Sequence, residues 1–424
     1  MFKLLMIQPE NREINRFRRL QFNNFSQITI PYLAAFVDEN YFEITIIDEY
    51  CQRIPFNKVF DLVAITVNTP NAIHCYELSA KFRDSKRTKI VMGGSHATLL
   101  PQEVKEHCDY LLIGESEDIW KQFLEDFRNG NAKEVYESHN PPNLKNLPVP
   151  RWDLLKRRRM MKGAIFATRG CPYSCRYCNL KQIYHDCFRT RPVDEVFAEI
   201  KSMKSKFFVF WDDNFFADKE YAKALMRAIA PLKRKWAAQA TLCDCDDGEL
   251  LEIAKAAGCQ YLFIGLESFS RKTLENAGKS INRVDNYKRV MDFIHSHGIM
   301  IQAGIVFGFD DDTKDVFDST LTACEKLGID GVTVSILTPF PKTPVYNQFK
   351  NENRIFSHDW SNYNGKTAVV FEPKNMTAEE LFEGYMNFRR RFYSLGSFIK
   401  RMRVSRTNIL LNFIINFGYR LGLL

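Results

Sequence analysis

Short apolar runs alternate with helical stretches in the first third of the chain. The runs are rich in β-branched and aromatic residues, and segments between them, such as Ala72 to Arg83, have helical spacing. The five runs predicted as strands are Phe2 to Gln8, Phe42 to Asp48, Asp61 to Val67, Lys89 to Gly93 and Tyr110 to Gly114. Nearly continuous apolar strands alternating with helices are typical of a parallel sheet covered on both faces. The pattern predicts a doubly wound, Rossmann-like α/β domain over residues 1–135.

The same alternation returns six times after a proline-rich, polar stretch. That stretch contains the basic run Lys156 to Arg159, and we predict a solvated linker over residues 136–162. The six strands predicted after it are Ala164 to Thr168, Phe207 to Trp211, Trp236 to Leu242, Tyr261 to Gly265, Met300 to Phe307 and Gly331 to Leu337. Right-handed crossovers wind successive parallel strands in one direction. We therefore predict a partial, TIM-like (β/α)6 barrel over residues 163–345, followed by a helical C-terminal extension over residues 346–424.

Polar residues gather where these barrel strands end, which is where barrels place their chemistry. Three cysteines follow the first strand, Asp212, Asp213 and Asn214 follow the second, and Glu267 and Ser268 follow the fourth. Carboxylates in such positions also serve as caps of the next helix, and either role is compatible with the pattern. These strand ends are the candidate functional residues of the second domain.

Composition and charge narrow the class of protein. The chain has 424 residues, which favours two or three domains, and its 45% hydrophobic and 26% charged residues exclude disorder and fibre as descriptions. The net charge of +8 comes from the end of the chain, because the segment from Phe388 onward contains eight basic residues and no acidic one. The rest is formally neutral. We therefore expect no nucleic-acid partner.

The start of the chain has too short an apolar run for a signal peptide, and no stretch reaches the roughly 18 to 20 apolar residues that span a bilayer. With no export signal, the eleven cysteines predict reduced thiols rather than a disulfide framework. The expected location is the cytoplasm. Most of the cysteines are scattered and are expected to be small buried hydrophobic residues.

Three cysteines form a cluster of their own. Cys171, Cys175 and Cys178 follow the spacing C-x3-C-x2-C, so their thiols can converge on one iron-sulfur cluster. A 4Fe-4S cube normally takes four protein ligands, and three would leave one iron open to a substrate. The alternative is a zinc site completed by Cys187 or His185.

The segment Thr168-Arg-Gly-Cys-Pro-Tyr-Ser-Cys-Arg-Tyr-Cys178 resembles the signature of the radical S-adenosylmethionine (SAM) enzymes. The resemblance implies that the three cysteines hold a 4Fe-4S cluster whose fourth iron binds SAM, and that SAM is cleaved reductively to a 5′-deoxyadenosyl radical. It also implies that Tyr177 lies against the adenine. Asp212, Asp213 and Asn214 stand where the family contacts the SAM amino group, although Gly-Gly-Glu is commoner there. Glu267 and Ser268 stand where it reaches the ribose and the methionine moiety.

The first domain resembles the cobalamin-binding domains that precede the radical SAM barrel in one large subfamily. The resemblance rests on three strand-end loops, and glycines in such loops let backbone amides approach a ligand at the sheet edge. The residues it implies as cobalamin contacts are Thr66, Asn68, Thr69, Pro70, Gly93, Gly94, Ser95, His96, Gly114, Glu115 and Glu117. The stretch after the first strand has no histidine to serve as a lower axial ligand. His74 is expected to be a packed or surface residue, and the domain could also keep this fold without the cofactor.

Together the resemblances imply a cobalamin-dependent radical SAM enzyme, which most simply methylates an unactivated carbon of a small or lipid-like substrate and receives electrons from a donor such as flavodoxin or ferredoxin. The alternatives are a radical SAM cyclase or rearrangement enzyme, without methyl transfer or without cobalamin, and a non-catalytic iron-sulfur electron carrier or sensor.

The C-terminal tail lies outside these motifs. Asn408, Asn412, Asn416 and Arg420 recur every four residues and draw one polar stripe along an otherwise apolar helix. The stripe and the preceding arginines suit either a helix at a membrane surface or a helix that docks onto protein.

Overall fold

The computed structural model describes residues 1–14, 27–83, 87–155 and 163–421. Its first domain is built on one parallel sheet of six strands in the order β2-β1-β3-β4-β5-β6. The strands are β1 (Phe2–Gln8), β2 (Phe42–Asp48), β3 (Leu62–Thr66), β4 (Lys89–Gly93), β5 (Tyr110–Ile113) and β6 (Val135–Glu137). The helices of this part are α1 (Thr29–Ala34), α2 (Ala72–Arg83), α3 (Ser95–Leu99), α4 (Pro101–Lys105) and α5 (Glu117–Arg128).

Alternation along the strands explains the doubly wound arrangement. In β1, Leu5 and Ile7 belong to the hydrophobic cluster that includes Leu78 of α2. Leu4 and Met6 point the other way, into the cluster that includes Trp120 of α5. Because successive side chains of a strand point to opposite faces, a continuous apolar strand needs helices on both sides.

The second domain is an open sheet of six parallel strands in the order β14-β13-β12-β11-β10-β7. The strands are β7 (Gly163–Ile165), β10 (Phe207–Phe210), β11 (Lys235–Ala240), β12 (Cys259–Glu267), β13 (Met300–Phe307) and β14 (Gly331–Ile336). The chain order of neighbouring strands is that of a partial (β/α)6 barrel, as predicted. Between β7 and β10, the short strands β8 (Thr168–Arg169) and β9 (Arg189–Thr190) pair antiparallel as a separate ribbon.

Eleven α-helices are described from residue 163 onward. They are α6 (Leu180–Tyr184), α7 (Val193–Ser202), α8 (Lys219–Ile229), α9 (Gly248–Ala256), α10 (Arg271–Asn276), α11 (Tyr287–Ser296), α12 (Val316–Leu327), α13 (Pro344–Asn351), α14 (Ala378–Phe392), α15 (Leu395–Ser405) and, last, α16 (Ile409–Leu421), of which α6 is a short turn in the loop after β8. Helices α14 and α15 pack against α12. Within the described part of the chain, no helix is long and apolar enough to cross a membrane.

Two strands differ from the sequence prediction. Strand β6 lies at the point where the first domain was predicted to end and adds a sixth strand to the five expected. Its three residues are too few to show a pattern. Strand β12 extends to Glu267, two residues past its predicted end, and its pairing with β13 shifts register between Gly265 and Glu267. The predicted basic run at Arg157, Arg158 and Arg159 lies outside the described residues.

The C-terminal helices pack against the amino ends of the last barrel strands. Asp330, which directly precedes β14, accepts a hydrogen bond from the amide of Ile301 in β13 (2.7 Å) and from Asn412 Nδ2 in α16 (2.9 Å). Asn416 donates to the Asp330 carbonyl oxygen (2.9 Å). The tail therefore docks onto the protein through its asparagines.

Candidate functional site

The three cysteines lie in a loop that the barrel holds by its backbone. The amide of Arg176 donates to the Ala277 carbonyl (2.9 Å), and the Arg176 carbonyl accepts from the amide of Val345 (3.2 Å). Gly170, just before the first cysteine, has a φ of 87°, and a Cβ there would collide with the Cys187 carbonyl oxygen. Glycine is thus required for the chain to turn into the loop.

The three thiols are half-buried, and none forms a disulfide. Burial raises the pKa of Cys171 to about 11 and that of Cys178 to about 12, so the free thiols hold their protons in the absence of a metal. Among the residues that the structure describes, no three His, Cys, Asp or Glu side chains lie close enough to hold a single metal ion. Three thiols on one loop remain a donor set that fits an iron-sulfur cluster.

Of the three polar residues after β10, two are used inside the fold. Asp212 accepts hydrogen bonds from the Ala167 amide (3.0 Å) and the Thr168 hydroxyl (2.6 Å), and burial raises its pKa to about 7. Asn214 Nδ2 donates to Asp244 (2.9 Å). Asp213 is different because its carboxylate accepts from the Gly170 amide (3.1 Å) and also lines the cleft described below. Burial raises the pKa of Asp213 to about 6.

The end of β12 carries a buried ion pair beside the cysteine loop. Glu267 has a φ of 66° at the register shift, and its Oε1 lies 2.7 Å from Lys279 Nζ. Burial alone would lower the pKa of Lys279, but Glu267 and Cys175 raise it above the ordinary lysine value. Ser268 is buried and accepts a hydrogen bond from the Ser270 amide (3.1 Å). The charge on Lys279 therefore lies close to both Glu267 and the cysteine loop.

Tyr177, between the second and third cysteines, packs edge-on against Phe309, with 5.9 Å between the ring centres. Burial and then Glu267 raise its pKa above the ordinary tyrosine value. The Tyr177 ring thus lies close to Glu267 and to the neighbouring cysteines.

A cleft of about 330 Å³ separates the first domain from this end of the barrel. The predicted cobalamin residues that line it are Thr66, Asn68, Gly94, Ser95, Gly114, Glu115 and Glu117. On the barrel side it is lined by Thr168, Arg169 and Asp213, and by the aromatic side chains of Phe166, Tyr184 and Trp211. The strand-end loops of the two domains therefore face the same space.

A narrower apolar cavity of about 60 Å³ opens beside the cleft. It lies over the edge of the first sheet, between Gly93, Gly94, Leu33, Leu112 and Trp120. Gly94 has a φ of 114°, and a Cβ there would press against the Val67 backbone. A larger residue at position 94 would therefore displace the backbone at the sheet edge that borders the cavity.

Buried ion pairs join the two domains along the cleft. Arg169 Nη1 lies 2.5 Å from Glu115 Oε2 and 2.6 Å from Glu117 Oε1, and Arg189 Nη2 lies 2.6 Å from Glu115 Oε1. Tyr32 adds a hydrogen bond to Glu117 (3.0 Å). Burial alone would lower the pKa of Arg169, but the two glutamates raise it above its ordinary value. Both glutamates, which were predicted as cobalamin contacts, thus bind the arginine that begins the cysteine motif.

The remaining predicted cobalamin residues lie behind the cleft. His96 is fully buried, with Nδ1 3.1 Å from Thr69 Oγ1 and Nε2 3.4 Å from Glu103. Trp360, from the segment after the barrel, donates to Glu103 (2.8 Å). Pro70 contributes its carbonyl oxygen to Asn11. His74 is buried against Glu49, with 2.7 Å between Nε2 and Oε2. In this arrangement His96 and Thr69 support the loop that carries Asn68.

Sequence reasoning missed Lys279 and the role of Arg169 and Arg189. Lys279 follows a helix and carries no local signal, since its partner is twelve residues earlier in a strand. Arg169 was part of the quoted motif, but only the fold brings it to Glu115, 54 residues away. Tyr184 and Trp211 could have been found as aromatic residues next to the predicted strand-end loops.

Comparison with known proteins adds independent findings. The model of the radical SAM superfamily matches residues 165–324, and that of a domain of unknown function, DUF4070, matches residues 343–412. The chain is 31% identical over 399 residues to the bacteriochlorophyllide d C-12(1)-methyltransferase of Chlorobaculum tepidum, covering 91% of this chain and 87% of that protein. It is 27% identical over 350 residues to the bacteriochlorophyllide d C-8(2)-methyltransferase of the same organism, covering 77% of each.

The structure is also similar to that of the radical SAM methyltransferase TsrM from Kitasatospora setae, which was solved with cobalamin and a 4Fe-4S cluster bound. The TM-score is 0.71 at 17% identity, and the match covers 91% of this chain and 88% of that one. This likeness extends over both sheets and confirms the predicted fold, a Rossmann-like domain followed by a partial TIM-like barrel and a helical end.

Proposed function

The chain belongs to the radical SAM superfamily, and from this we propose that it is a cobalamin-dependent methyltransferase that acts on an unactivated carbon of a small or lipid-like substrate. Its relatives include two methyltransferases of bacteriochlorophyllide d. The observation that carries the proposal is the shared cleft, because loops with the predicted cobalamin residues line the same space as Thr168 and Arg169, which begin the cysteine motif, and Asp213.

Cys171, Cys175 and Cys178 would hold the 4Fe-4S cluster and leave one iron for SAM. When bound, the cluster and SAM supply a carbon-centred radical, and cobalamin supplies a methyl group. The protein must orient these groups and keep water and oxygen away from them. Half-burial of the cysteine loop and closure of the domain contact by ion pairs both serve this exclusion.

We assign the contacts with SAM chiefly to Asp213, Glu267 and Tyr177. Within the described part of the chain, the Asp213 carboxylate accepts one hydrogen bond, from the Gly170 amide, and it can accept another from a SAM amino group. Glu267 is held by Lys279 at the strand end, so one carboxylate oxygen is fixed while the other can face a ribose hydroxyl. Asp212 and Asn214 then act as positioning residues, since their hydrogen bonds fix the loops on either side.

On the cobalamin side we assign backbone contacts to Gly93, Gly94 and Gly114 and side-chain contacts to Asn68 and Ser95. The Ser95 hydroxyl donates to Asn68 Oδ1 (2.8 Å), which orients both groups at the mouth of the cleft. The apolar cavity between Gly94 and Trp120 suits an uncharged, flat part of the ligand. Glu115 and Glu117 hold the domains together, and His96 supports the loop from behind.

The aromatic side chains of Phe166, Tyr184 and Trp211 line the barrel side of the cleft and suit a flat, apolar substrate. We propose that flavodoxin or ferredoxin donates the electrons. We also place the enzyme in the cytoplasm, where the thiols of its eleven cysteines stay reduced, with the C-terminal tail as its contact with a membrane.

The test is to purify the full chain without oxygen in the presence of hydroxocobalamin, reconstitute its cluster with iron and sulfide, and add SAM and dithionite. The proposal predicts retained corrinoid absorption, formation of 5′-deoxyadenosine and, with a substrate, formation of S-adenosylhomocysteine as well. Deoxyadenosine without S-adenosylhomocysteine would favour the cyclase or rearrangement alternative. A cluster without any SAM cleavage would favour an electron carrier or sensor.

Two cysteine variants serve as a matched pair. Cys178→Ala should lose the iron-sulfur absorption and the cleavage of SAM, because one of the three ligands is gone. Cys187→Ala removes a thiol of the neighbouring loop that the proposed three-cysteine site does not use, and it should keep both. Loss of the cluster in Cys187→Ala would show a fourth protein ligand and would contradict an open iron.

A further inference from the structure

The last described helix, α16, buries its polar side and exposes its apolar side, which is the opposite of an ordinary surface helix. Asn412 is fully buried and Asn416 almost so, while large apolar side chains on the other side of α16 face outward. Leu410 is 71% exposed, and Phe413 and Phe417 are each more than 40% exposed. A helix that is docked on its own protein normally buries its apolar side. An outward apolar face therefore needs its own explanation.

The polar side is fixed by a buried network. Arg401 of α15 is fully buried and donates to the carbonyls of Ile329 and Asp330 (both 2.8 Å) and to Asn416 Oδ1 (2.9 Å). Asn412 Nδ2 donates to the Asp330 carboxylate (2.9 Å) and to Thr407 (2.8 Å). Because buried polar groups are costly without partners, this network sets the rotation of the helix. The outward face is thus built into the fold.

The exposed apolar face is continuous over two helices. Phe398 of α15 lies 6.0 Å from Phe413 of α16, and Phe413 lies 5.8 Å from Phe417, measured between ring centres. The exposed apolar side chains of this surface, which we name the tail face, are Leu395, Ile399, Val404, Ile409, Leu410, Phe413, Ile414 and Phe417. Contiguous apolar patches of this kind mark interaction sites.

The charge around the tail face favours one occupant. Arg403 and Arg406 are exposed and form no ion pair within the described residues, whereas the nearby Lys400 pairs with Glu325 of α12. The segment from Phe388 onward has no acidic residue of its own. A second copy of the chain, docked by the same face, would bring two basic rims together with no acidic residue of this segment to neutralise them. Anionic lipid headgroups complement the rim, and acyl chains complement the apolar centre.

We infer that the tail face seats the protein on an anionic lipid bilayer, which deepens the membrane contact of the proposed function. At 13 residues, α16 is about 20 Å long and lies along the surface rather than across it. It packs at the amino ends of β13 and β14, so the cysteine loop and the cleft at the carboxyl ends point away from the membrane. The bilayer would hold the enzyme without covering its site.

The inference is tested by sedimenting the full chain with vesicles of phosphatidylcholine alone or mixed with phosphatidylglycerol. The wild type should sediment with the anionic vesicles and be released by salt. Leu410→Gln/Phe413→Gln should lose this binding. The matched control Val59→Gln/Phe356→Gln changes two side chains of similar exposure elsewhere on the protein and should keep it. Arg403→Gln/Arg406→Gln should weaken binding to anionic vesicles about fivefold per arginine.

Absence of wild-type binding, or unchanged binding by the Leu410/Phe413 variant, would overturn the inference. A dimer seen in sedimentation velocity without lipid and abolished by the same two substitutions would show that a second copy covers the tail face. Thermal unfolding of each variant verifies that it is folded. SAM cleavage measured on the same samples without vesicles separates this test from that of the reaction, since the tail variants should cleave SAM as the wild type does.

Discussion

Replacing Glu115 by glutamine should weaken the contact between the two domains more than any single change at an exposed ion pair. Glu115 is shared by Arg169 and Arg189, each within 2.6 Å, and its side chain is only 4% exposed. Glutamine keeps the shape but leaves the buried cluster with one positive charge in excess. Arg169 would keep Glu117, while among the described residues Arg189 would keep the carbonyl of Pro142 alone.

Removing one partner of a buried ion pair costs about 3–5 kcal/mol. Because Arg169 retains a carboxylate, we expect the lower end of that range, about 3 kcal/mol, which is roughly a hundredfold in an equilibrium constant. The measurement is urea unfolding followed by tryptophan fluorescence, together with limited proteolysis of the native protein. Glu39→Gln is the control, since Glu39 is 60% exposed and Arg151 would keep Asp153, so the pair should contribute below about 1 kcal/mol.

A double-mutant cycle sharpens the test. Arg189→Gln alone leaves a negative charge in excess, whereas the double variant Glu115→Gln/Arg189→Gln keeps the Arg169–Glu117 pair in balance. The double variant should therefore be more stable than the sum of the single effects predicts, by about 1–3 kcal/mol. Strict additivity, or a Glu115→Gln effect no larger than that of Glu39→Gln, would refute the assignment of these ion pairs as the domain clamp.

Three further predictions concern residues outside the cleft. Arg401→Met should lower the free energy of unfolding by about 3 kcal/mol or more, because the buried acceptors of Arg401 lose their donor. The exposed Arg403→Met should change it by less than about 0.5 kcal/mol, and equal melting temperatures of the two variants would contradict this prediction. Burial raises the pKa of Asp312 to about 6, so the native carboxyl keeps its proton where the unfolded one has lost it, and stability should fall as pH rises from about 4 to 6. Asp312→Asn should remove that dependence in urea titrations across this window, and an unchanged pH profile would exclude the assignment. Trp360→Phe removes a hydrogen bond to Glu103 and should lower the free energy of unfolding by about 1–2 kcal/mol in the same titrations. An unchanged free energy would contradict the role of Trp360 in joining the C-terminal segment to the first domain.

The fold could be predicted because its signals are local. An apolar strand such as Leu62–Thr66 can be recognised from five residues, and the consecutive order of the barrel strands was predicted from the right-handed crossovers between them. The cysteine motif is equally local, since its spacing lies within one loop. What could not be predicted is which charged residues meet. Glu267 and Lys279 pair across a register shift in β12, and no periodicity marks that shift.

The tail shows the same limit in another form. The four-residue spacing of Asn412 and Asn416 correctly predicted a helix with one polar stripe. A stripe alone does not reveal which side of the helix meets the protein, because that depends on what the docking surface offers. Here the surface offers the carboxylate and carbonyl of Asp330, so the polar side turns inward and the apolar side is left outside.

The two domains are joined along the cleft by buried ion pairs, and these pairs set how the two sides of the cleft face each other. Apolar side chains of the same size would often stabilise such an interface as well as buried ion pairs do, so stability alone does not account for Glu115, Glu117, Arg169 and Arg189. Ion pairs add direction, because each guanidinium donates its N–H bonds to carboxylate oxygens that lie near its own plane. Arg169 lies two residues before the first cysteine, and Glu115 follows the glycine loop of β5, so their pairing fixes the register between the cysteine loop and the edge of the first sheet. A chemistry that needs two bound groups at one short distance requires that kind of constraint, and an apolar interface free to slide would not supply it.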